Sequence, residues 1–238
     1  MAPRASTLTQ GWSEMPYVPS RQAKGIRQAL RPCETKVLPL RDVIVNGNGV
    51  KKKTLRTETH GKSRFASRLR VVLRPAGQAR QHGWLILDGR AVPVALGRAG
   101  IRADKREGDG ATPRGIWHAR EVRYRADRVP RPITGLPALR TRRGDGWCDD
   151  PRDGRYNCLV RLPVGASHEE MWREDGLYDL VVVLDYNSCP RRAWRGSAVF
   201  MHIARGAFEP TAGCVAFRPA DLRRLLARLN QATVIEII

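Results

Sequence analysis

Short apolar segments separated by turn-forming residues constrain the fold of this chain more than any other feature. The clearest example is WLILDGRAVPVAL, in which two apolar runs flank Asp88-Gly89. An Asp-Gly pair between such runs is a strong β-hairpin signal, because both turn positions require positive φ. Upstream, RLRVVLRP predicts a short strand that ends at Pro75. We therefore expect strands to build most of the core.

The remaining apolar runs extend this pattern. Further strands are predicted in IWHAREVRYR, LYDLVVVLDYN, GSAVFMHIA and TVIEII. Residues 129–156 hold several prolines and glycines and predict irregular structure. Strands and helices do not alternate repeatedly, which argues against a doubly wound sheet. We expect a mainly β domain, either a barrel or a sandwich.

Two short helices are also expected. Ser167 and Glu170 form a capping-box pattern, which predicts a helix through about Arg173. A second helix should begin at Pro219. It would run through Leu229 and place four leucines on one face.

Composition divides the chain near residue 66. Residues 1–66 are rich in Pro, Ser, Thr, Gln and basic residues and lack periodicity, which predicts a disordered basic tail. Residues 67–238 predict one folded domain. The net charge is +20, with thirteen Lys and Arg against four acids in the tail and thirty against nineteen elsewhere. Because the excess is dispersed, it indicates general attraction to polyanions and not a specific nucleic-acid site.

The cysteines do not indicate a disulfide scaffold or a metal site. There are five, an odd number, and no Cys or His spacing matches a zinc motif. The spacing of Cys148 and Cys158 leaves open whether they pair. No run approaches the roughly 18 apolar residues that span a bilayer, and no secretory signal is visible.

Residues 200–217, FMHIARGAFEPTAGCVAF, carry the strongest candidate for chemistry. Gly213 would let the backbone turn tightly before Cys214 and expose its thiol. His202, at the end of an apolar run, could act as base if the intervening loop folds back. Backbone N–H groups in the turn could stabilise an oxyanion. The alternative is a buried Cys and a core His without a reaction.

Several other residues are candidates for supporting roles. Thr211 could hold the turn by a hydrogen bond, and Ser197 could orient the strand before His202. Asp149 and Asp150 are expected to line a substrate cleft or hold its loop, since adjacent carboxylates usually point apart.

Trp147 and Tyr156 could stack on a glycan or pack in the interior, and we favour packing. The glycine-rich EGDG segment lacks a phosphate-loop pattern and predicts a turn.

The spacing H-x₈-T-A-G-C resembles the active-site signature of the L,D-transpeptidase catalytic-domain family. EGDGATPRGIW is similar to that family's glycine-rich segment. WCDDP, SHEEMWREDGLYDLVVVLDYN and GSAVFMH resemble a bacterial subgroup of it. The resemblance covers roughly residues 67–238 and not the tail.

This resemblance implies a β-rich catalytic domain with Cys214 as nucleophile and His202 as general base and then acid. It implies attack on peptidoglycan tetrapeptide stems, release of the terminal D-alanine, and transfer of the acyl group to an amine. No cofactor is implied. Peptidoglycan stem peptides would be the partners, and the cell envelope or periplasm the location.

Two positions depart from the commonest form of the signature. Ala212 stands where many members have His, and Ala216 where they have Arg. The loop between His202 and Cys214 is also shorter. A hydrolytic L,D-carboxypeptidase with the same dyad, and a non-catalytic basic module that binds a polymer, are the alternatives.

Overall fold

The computed structural model of this protein describes residues 80–87 and 89–238 in full and residues 68–73 by their backbone. These residues fall within one compact unit, Val50–Ile238. The predicted tail, residues 1–66, and the turn residue Asp88 lie outside the described residues.

The described ranges form fourteen strands and one α-helix, so the prediction of a mainly β fold is confirmed. In chain order the elements are β1 (Arg68–Leu73), β2 (His82–Leu87), β3 (Arg90–Ala95), β4 (Ile101–Arg102), β5 (Thr112–Pro113), β6 (Gly115–Tyr124), β7 (Ala138–Arg140), β8 (Asp145–Cys148), β9 (Cys158–Arg161), β10 (His168–Glu170), β11 (Leu180–Leu184), β12 (Phe200–Ile203), β13 (Val215–Phe217), α1 (Pro219–Leu226) and β14 (Val234–Ile237).

Nine strands form one mixed sheet in the order β11–β12–β13–β3–β2–β1–β14–β6–β7. Strand β11 also pairs with β6, so the sheet curls back on itself. Where β13 meets β3, only Ala216 and Ala95 are paired. The result is a curled mixed sheet and not a closed barrel. Strands β10, β8 and β9 form a smaller antiparallel sheet, and β4 and β5 pair separately.

The predicted hairpin is confirmed. Strands β2 and β3 are antiparallel, with Leu87 opposite Arg90 across a two-residue connection. Gly89 has φ of 74°, the left-handed conformation that such a turn requires.

The prediction of two helices is wrong for the segment after Ser167. Residues His168–Glu170 form strand β10, which pairs with β8 by placing Glu169 opposite Trp147. The capping-box pattern was present, but a helix of one or two turns gains too few hydrogen bonds to offset nucleation. Hydrogen bonding to β8, about twenty residues earlier in the chain, makes this segment a strand instead.

Two boundaries also differ from the prediction. Helix α1 ends at Leu226 and not at Leu229, because the N–H groups of Arg228 and Leu229 donate to carbonyls three residues back and so tighten the last turn. Residues 129–156, expected to be irregular, contain β7 and β8.

Alternating side chains of the central strands divide the interior into two clusters. In β11, Leu180, Val182 and Leu184 join the larger cluster, while Val181 and Val183 join the smaller one. Cys214 and Phe200 also belong to the smaller cluster. The candidate nucleophile therefore lies on this second face of the sheet.

Candidate active site

Strands β12 and β13 bring His202 and Cys214 to the same face of the sheet. They are parallel neighbours in which His202 is opposite Ala216, and Cys214 lies two residues before that position. Because side chains alternate, Cys214 and Ala216 share a face. Both His202 and Cys214 line a cavity of about 530 Å³. The loop between them thus brings both side chains to the same cavity.

The turn before Cys214 is held by hydrogen bonds from Thr211. Its Oγ1 donates to the Cys214 carbonyl at 2.7 Å and accepts from the Gly213 N–H at 3.1 Å. Gly213 has φ of 147°, and an added Cβ would lie 2.7 Å from the Ala111 carbonyl oxygen. Any larger residue would therefore clash with backbone, which explains the glycine before the cysteine.

The thiol of Cys214 sits between two backbone groups. It donates to the Ala198 carbonyl at 3.2 Å, and the Phe200 N–H lies 3.4 Å from its sulfur. The residue is 7% exposed. Burial raises the pKa of Cys214 to about 12, a nearby Glu169 carboxylate adds to the rise, and the Phe200 N–H and Lys105 oppose it. The thiol is therefore protonated at neutral pH.

His202 is oriented for proton transfer by its own strand. Its Nδ1 lies 2.8 Å from the Ile203 carbonyl oxygen, which can only accept, so Nδ1 carries the proton. This tautomer leaves Nε2 as the acceptor. Burial lowers the pKa of His202 to about 4. At neutral pH both the Cys214 thiol and the His202 imidazole are therefore uncharged.

Tyr178 and Glu169 complete the wall of this cavity. The Tyr178 ring packs edge-on against His202, with centroids 5.3 Å apart, and its hydroxyl donates to Glu169 Oε2 at 2.5 Å. Burial raises the pKa of Glu169 above its usual range. Sequence reasoning missed both residues, because the position of Glu169 depends on the pairing of β10 with β8 and that of Tyr178 on the pairing of β11 with β12.

A second cavity of about 170 Å³ also borders Cys214. Its charged lining consists of Arg98, Lys105, Glu107, Asp149 and Glu169. Among the described residues, three line both cavities: Ala212, Cys214 and Glu169. Ala212, where many family members have His, thus stands at this junction.

The predicted cleft residues separate into two groups. Asp149 and Ser197 line the second cavity. The Ser197 hydroxyl donates to Glu107 Oε2 at 2.9 Å, and the Tyr156 hydroxyl donates to the same oxygen. Asp150 is not among the residues lining either cavity, and its side chain accepts the Arg152 N–H in a turn.

Trp147 packs beneath the site. Its ring contacts Phe200 edge-on with centroids 5.1 Å apart, and it is absent from the lining of both cavities. Its partner Phe200 has its N–H 3.4 Å from the Cys214 sulfur.

The buried side-chain amide of Asn157 links the smaller sheet to Ala198, whose carbonyl accepts the Cys214 thiol. Its Oδ1 accepts from the Trp147 indole N–H and from the Ala198 N–H, both at 3.0 Å. Its Nδ2 donates to the carbonyls of Tyr186 and Asn187. Ala198, whose carbonyl accepts the thiol, has φ of 50°, a conformation that L-residues rarely adopt. Asn157 therefore helps to fix the strained backbone of Ala198 beside the Cys214 thiol.

Cys148, Cys158 and Cys189 form no disulfide within the described part of the chain. Cys148 and Cys158 lie opposite each other in the antiparallel pair β8–β9, and Cys189 is exposed. Cys33 lies outside the described residues. Within the described ranges, no group of three or more His, Cys, Asp or Glu side chains is placed to hold a metal ion. No described helix is long and apolar enough to cross a membrane.

Comparison with known proteins gives one family. The YkuD family model, which describes the L,D-transpeptidase catalytic domain, matches residues 72–237. No curated protein and no solved structure matched the chain. Members of the family generally act on peptidoglycan through a cysteine. The match spans most of the chain, including β12, β13 and the turn before Cys214, and on this ground the chain belongs to the L,D-transpeptidase catalytic-domain family.

Proposed function

We propose that this protein transfers acyl groups between peptidoglycan stem peptides, with Cys214 as nucleophile and His202 as general base and then acid. One observation carries the proposal. Both side chains line the same cavity, and the His202 tautomer leaves Nε2 free to accept a proton. The family gives the substrate class.

Acylation begins from a neutral dyad. Cys214 attacks the stem carbonyl while its proton passes to His202 Nε2, so no thiolate accumulates before substrate binds. The Gly213 N–H is occupied by Thr211, whereas the Cys214 N–H has no hydrogen bond within the described residues. We assign the Cys214 N–H to the oxyanion. His202 then protonates the leaving amine, which releases D-alanine and leaves a thioester.

The larger cavity holds two arginines that could contact a substrate carboxylate. Arg173 and Arg205 line it and both pair with Asp175, and the carboxylates of Glu169, Glu170 and Glu209 line it as well. Any contact with a substrate carboxylate would therefore be a local one to a guanidinium group. In the commonest family signature, an arginine stands at the position of Ala216. In this protein Arg173 and Arg205 place cations in the cavity that Ala216 lines.

Purified tetrapeptide stems, with and without an amine acceptor, test the reaction by mass spectrometry. Wild-type protein should form an acyl adduct on Cys214 and release D-alanine. Cys214→Ala and His202→Ala should each lower turnover by about 1,000-fold or more, because the two side chains act as one unit. Turnover that survives Cys214→Ala would contradict the proposal.

The same experiment distinguishes transfer from hydrolysis. Cross-linked product with added amine identifies a transpeptidase, whereas tripeptide alone identifies an L,D-carboxypeptidase. Both outcomes use the same thioester and differ in whether an amine or water attacks it.

We further propose that residues 67–238 form the catalytic domain and that it acts in the cell envelope, where its polymer substrate lies. The family match over residues 72–237 supports this boundary.

A second candidate function is binding of an anionic polymer. A groove of about 1,010 Å³, here called the arginine groove, favours it. It is lined by five arginines: Arg123, Arg131, Arg140, Arg142 and Arg161. Its two carboxylates, Asp127 and Asp145, already pair with arginines. Retention of polymer binding in Cys214→Ala would separate this function from catalysis.

A further inference from the structure

A single carboxylate, that of Glu169, stands with the nucleophile at the junction of two cavities. Strand β10 places it there, opposite Trp147 of β8. It lines the larger cavity with His202 and the smaller one with Lys105, and Cys214 lines both. A substrate group bound to Glu169 would therefore lie beside the reacting carbon of a Cys214 thioester.

Glu169 has unused capacity to accept hydrogen bonds. Tyr178 donates to Oε2, whereas Oε1 has no hydrogen-bond partner among the described residues. Within that part of the chain, none of the ion pairs includes Glu169. Lys105, one of the two cations that line the smaller cavity, is paired with Asp109 at 2.6 Å, and Arg173 of the larger cavity is paired with Asp175. The carboxylate is thus available to a cation from outside the protein.

The smaller cavity favours a positively charged group. Three carboxylates line it, from Glu107, Asp149 and Glu169, against two cations. One of these cations, Lys105, is neutralised by Asp109. Asp149 Oδ1 is buried without a hydrogen-bond partner in the described ranges. An ammonium group, with three donors and no acceptor, matches the unused oxygens of Asp149 and Glu169.

We propose that Glu169 binds the primary amine of the acyl acceptor from the smaller cavity and takes its proton, so that the amine can attack the thioester. This inference rests on the proposed acyl transfer. It names the acceptor as an ammonium-bearing stem and gives it a cavity different from that of the acyl donor.

The step balances as follows. The ammonium gives one proton to the Glu169 carboxylate and becomes a neutral amine. Its nitrogen forms a bond to the thioester carbon, and the carbon–sulfur bond breaks. His202 carries a second proton from that nitrogen to the Cys214 sulfur, which regenerates the thiol. Glu169 then releases its proton to solvent, and the elevated pKa of its carboxyl suits this role as a base.

The decisive experiment compares acceptors of different basicity on Glu169→Gln, which keeps the shape and still accepts from Tyr178. Wild-type and variant proteins are given a tetrapeptide donor with either a lysine side-chain amine or hydroxylamine, which is mostly uncharged at neutral pH. Acyl-enzyme formation, cross-linked product and tripeptide are measured by mass spectrometry.

Acylation of Cys214 should proceed in Glu169→Gln, which also shows that the variant is folded. Transfer to the lysine amine should fall by about 100-fold relative to hydrolysis. Transfer to hydroxylamine should stay close to wild type, because that acceptor is already a neutral amine before attack and loses only the proton that His202 carries to sulfur. Glu169→Asp should restore part of the transfer to lysine.

Glu174→Gln is the matched control. It removes the same charge from an exposed residue that pairs with Arg128, and transfer should not change. Equal loss with both acceptors, or no loss with lysine, would overturn the role of Glu169. Absence of an acyl adduct in wild type would instead refute the proposed function itself.

Discussion

At the scale of single residues, burial sets the charge state from which the proposed reaction would start. Cys214 and His202 are both buried and lose the solvation that would stabilise a charge. The Ile203 carbonyl, and not a carboxylate, orients the imidazole. In the proposed mechanism, charge would therefore develop only after substrate binds, and backbone dipoles would stabilise it.

His202 predicts an acid-sensitive fold. Burial lowers its pKa from 6.5, the ordinary value for histidine, to about 4 in the folded protein. Between these values the unfolded chain binds more protons, so stability falls as the pH drops from 6.5 to 4. The loss should reach roughly 3 kcal/mol. Urea denaturation across this range, with His202→Gln for comparison, measures it.

In that window the free energy of unfolding of the variant should depend less on pH than that of wild type. Above pH 7 the pH dependence of the two proteins should be the same. Carboxyls of Asp127, Asp153 and Asp175, whose pKa values are lowered to about 2 by arginines, lose their contribution only at more acidic pH. Parallel curves for the two proteins between pH 4 and 6.5 would contradict the assignment to His202.

At the scale of elements, hydrogen bonds link the smaller sheet to the backbone that contacts the Cys214 thiol. Asn157 precedes β9 and is hydrogen-bonded to the residue whose carbonyl accepts the thiol. Strand β10 of the same sheet carries Glu169. Displacing this sheet would thus disturb both the sulfur and the carboxylate beside it.

Asn157→Ala tests this link. Its removal leaves the Trp147 indole N–H, the Ala198 N–H and two carbonyls without partners, and Ala also fits the φ of 55° at this position poorly. We expect the free energy of unfolding to fall by about 2–5 kcal/mol. The rate of acyl-adduct formation per folded molecule should also fall.

Asn187→Ala provides a matched control. Asn187 likewise has positive φ, 48°, and its side chain bonds Arg192 and Gly196 backbone groups. That variant should be destabilised yet form the adduct at the wild-type rate. If both variants react equally, Asn157 has no role in positioning the thiol.

Local signals in the sequence predicted some elements and not others. The Asp-Gly hairpin and the apolar strand β11 were evident because their signals lie within a few residues. Strand β10 was missed because its pairing partner, β8, is distant in the chain. For the same reason, the sequence pointed to His202 and Cys214 but not to Glu169, Tyr178 or Asn157.

At the scale of the whole molecule, the basic residues differ in how well they are placed to bind an anion. Arg131, Arg140 and Arg142 of the arginine groove are exposed and make no ion pair with the described residues. The groove is also lined by Thr141, which is 4% exposed, and by Trp172. Among the described residues, neither the Thr141 hydroxyl nor the Trp172 indole N–H has a hydrogen-bond partner. Together these groups offer converging donors to an anion.

Replacing Arg131, Arg140 and Arg142 with Gln should weaken binding of fluorescent polyphosphate by about 10-fold or more at low salt and make it less salt-dependent. The control replaces Arg90, Arg102 and Arg192, which are exposed and outside the described cavities, with Gln. It makes the same change in net charge. Fluorescence anisotropy titrations at several salt concentrations measure both. Equal losses would show that net charge, and not the groove, governs binding.

The two cavities that meet at Cys214 also bear on the timing of turnover. In the proposed reaction, D-alanine could leave through one cavity while the incoming amine is already bound in the other. The amine would then not have to wait until D-alanine has left before it binds. A reactive ester-like intermediate would then be short-lived, and competing solvent would have little opportunity to intercept it.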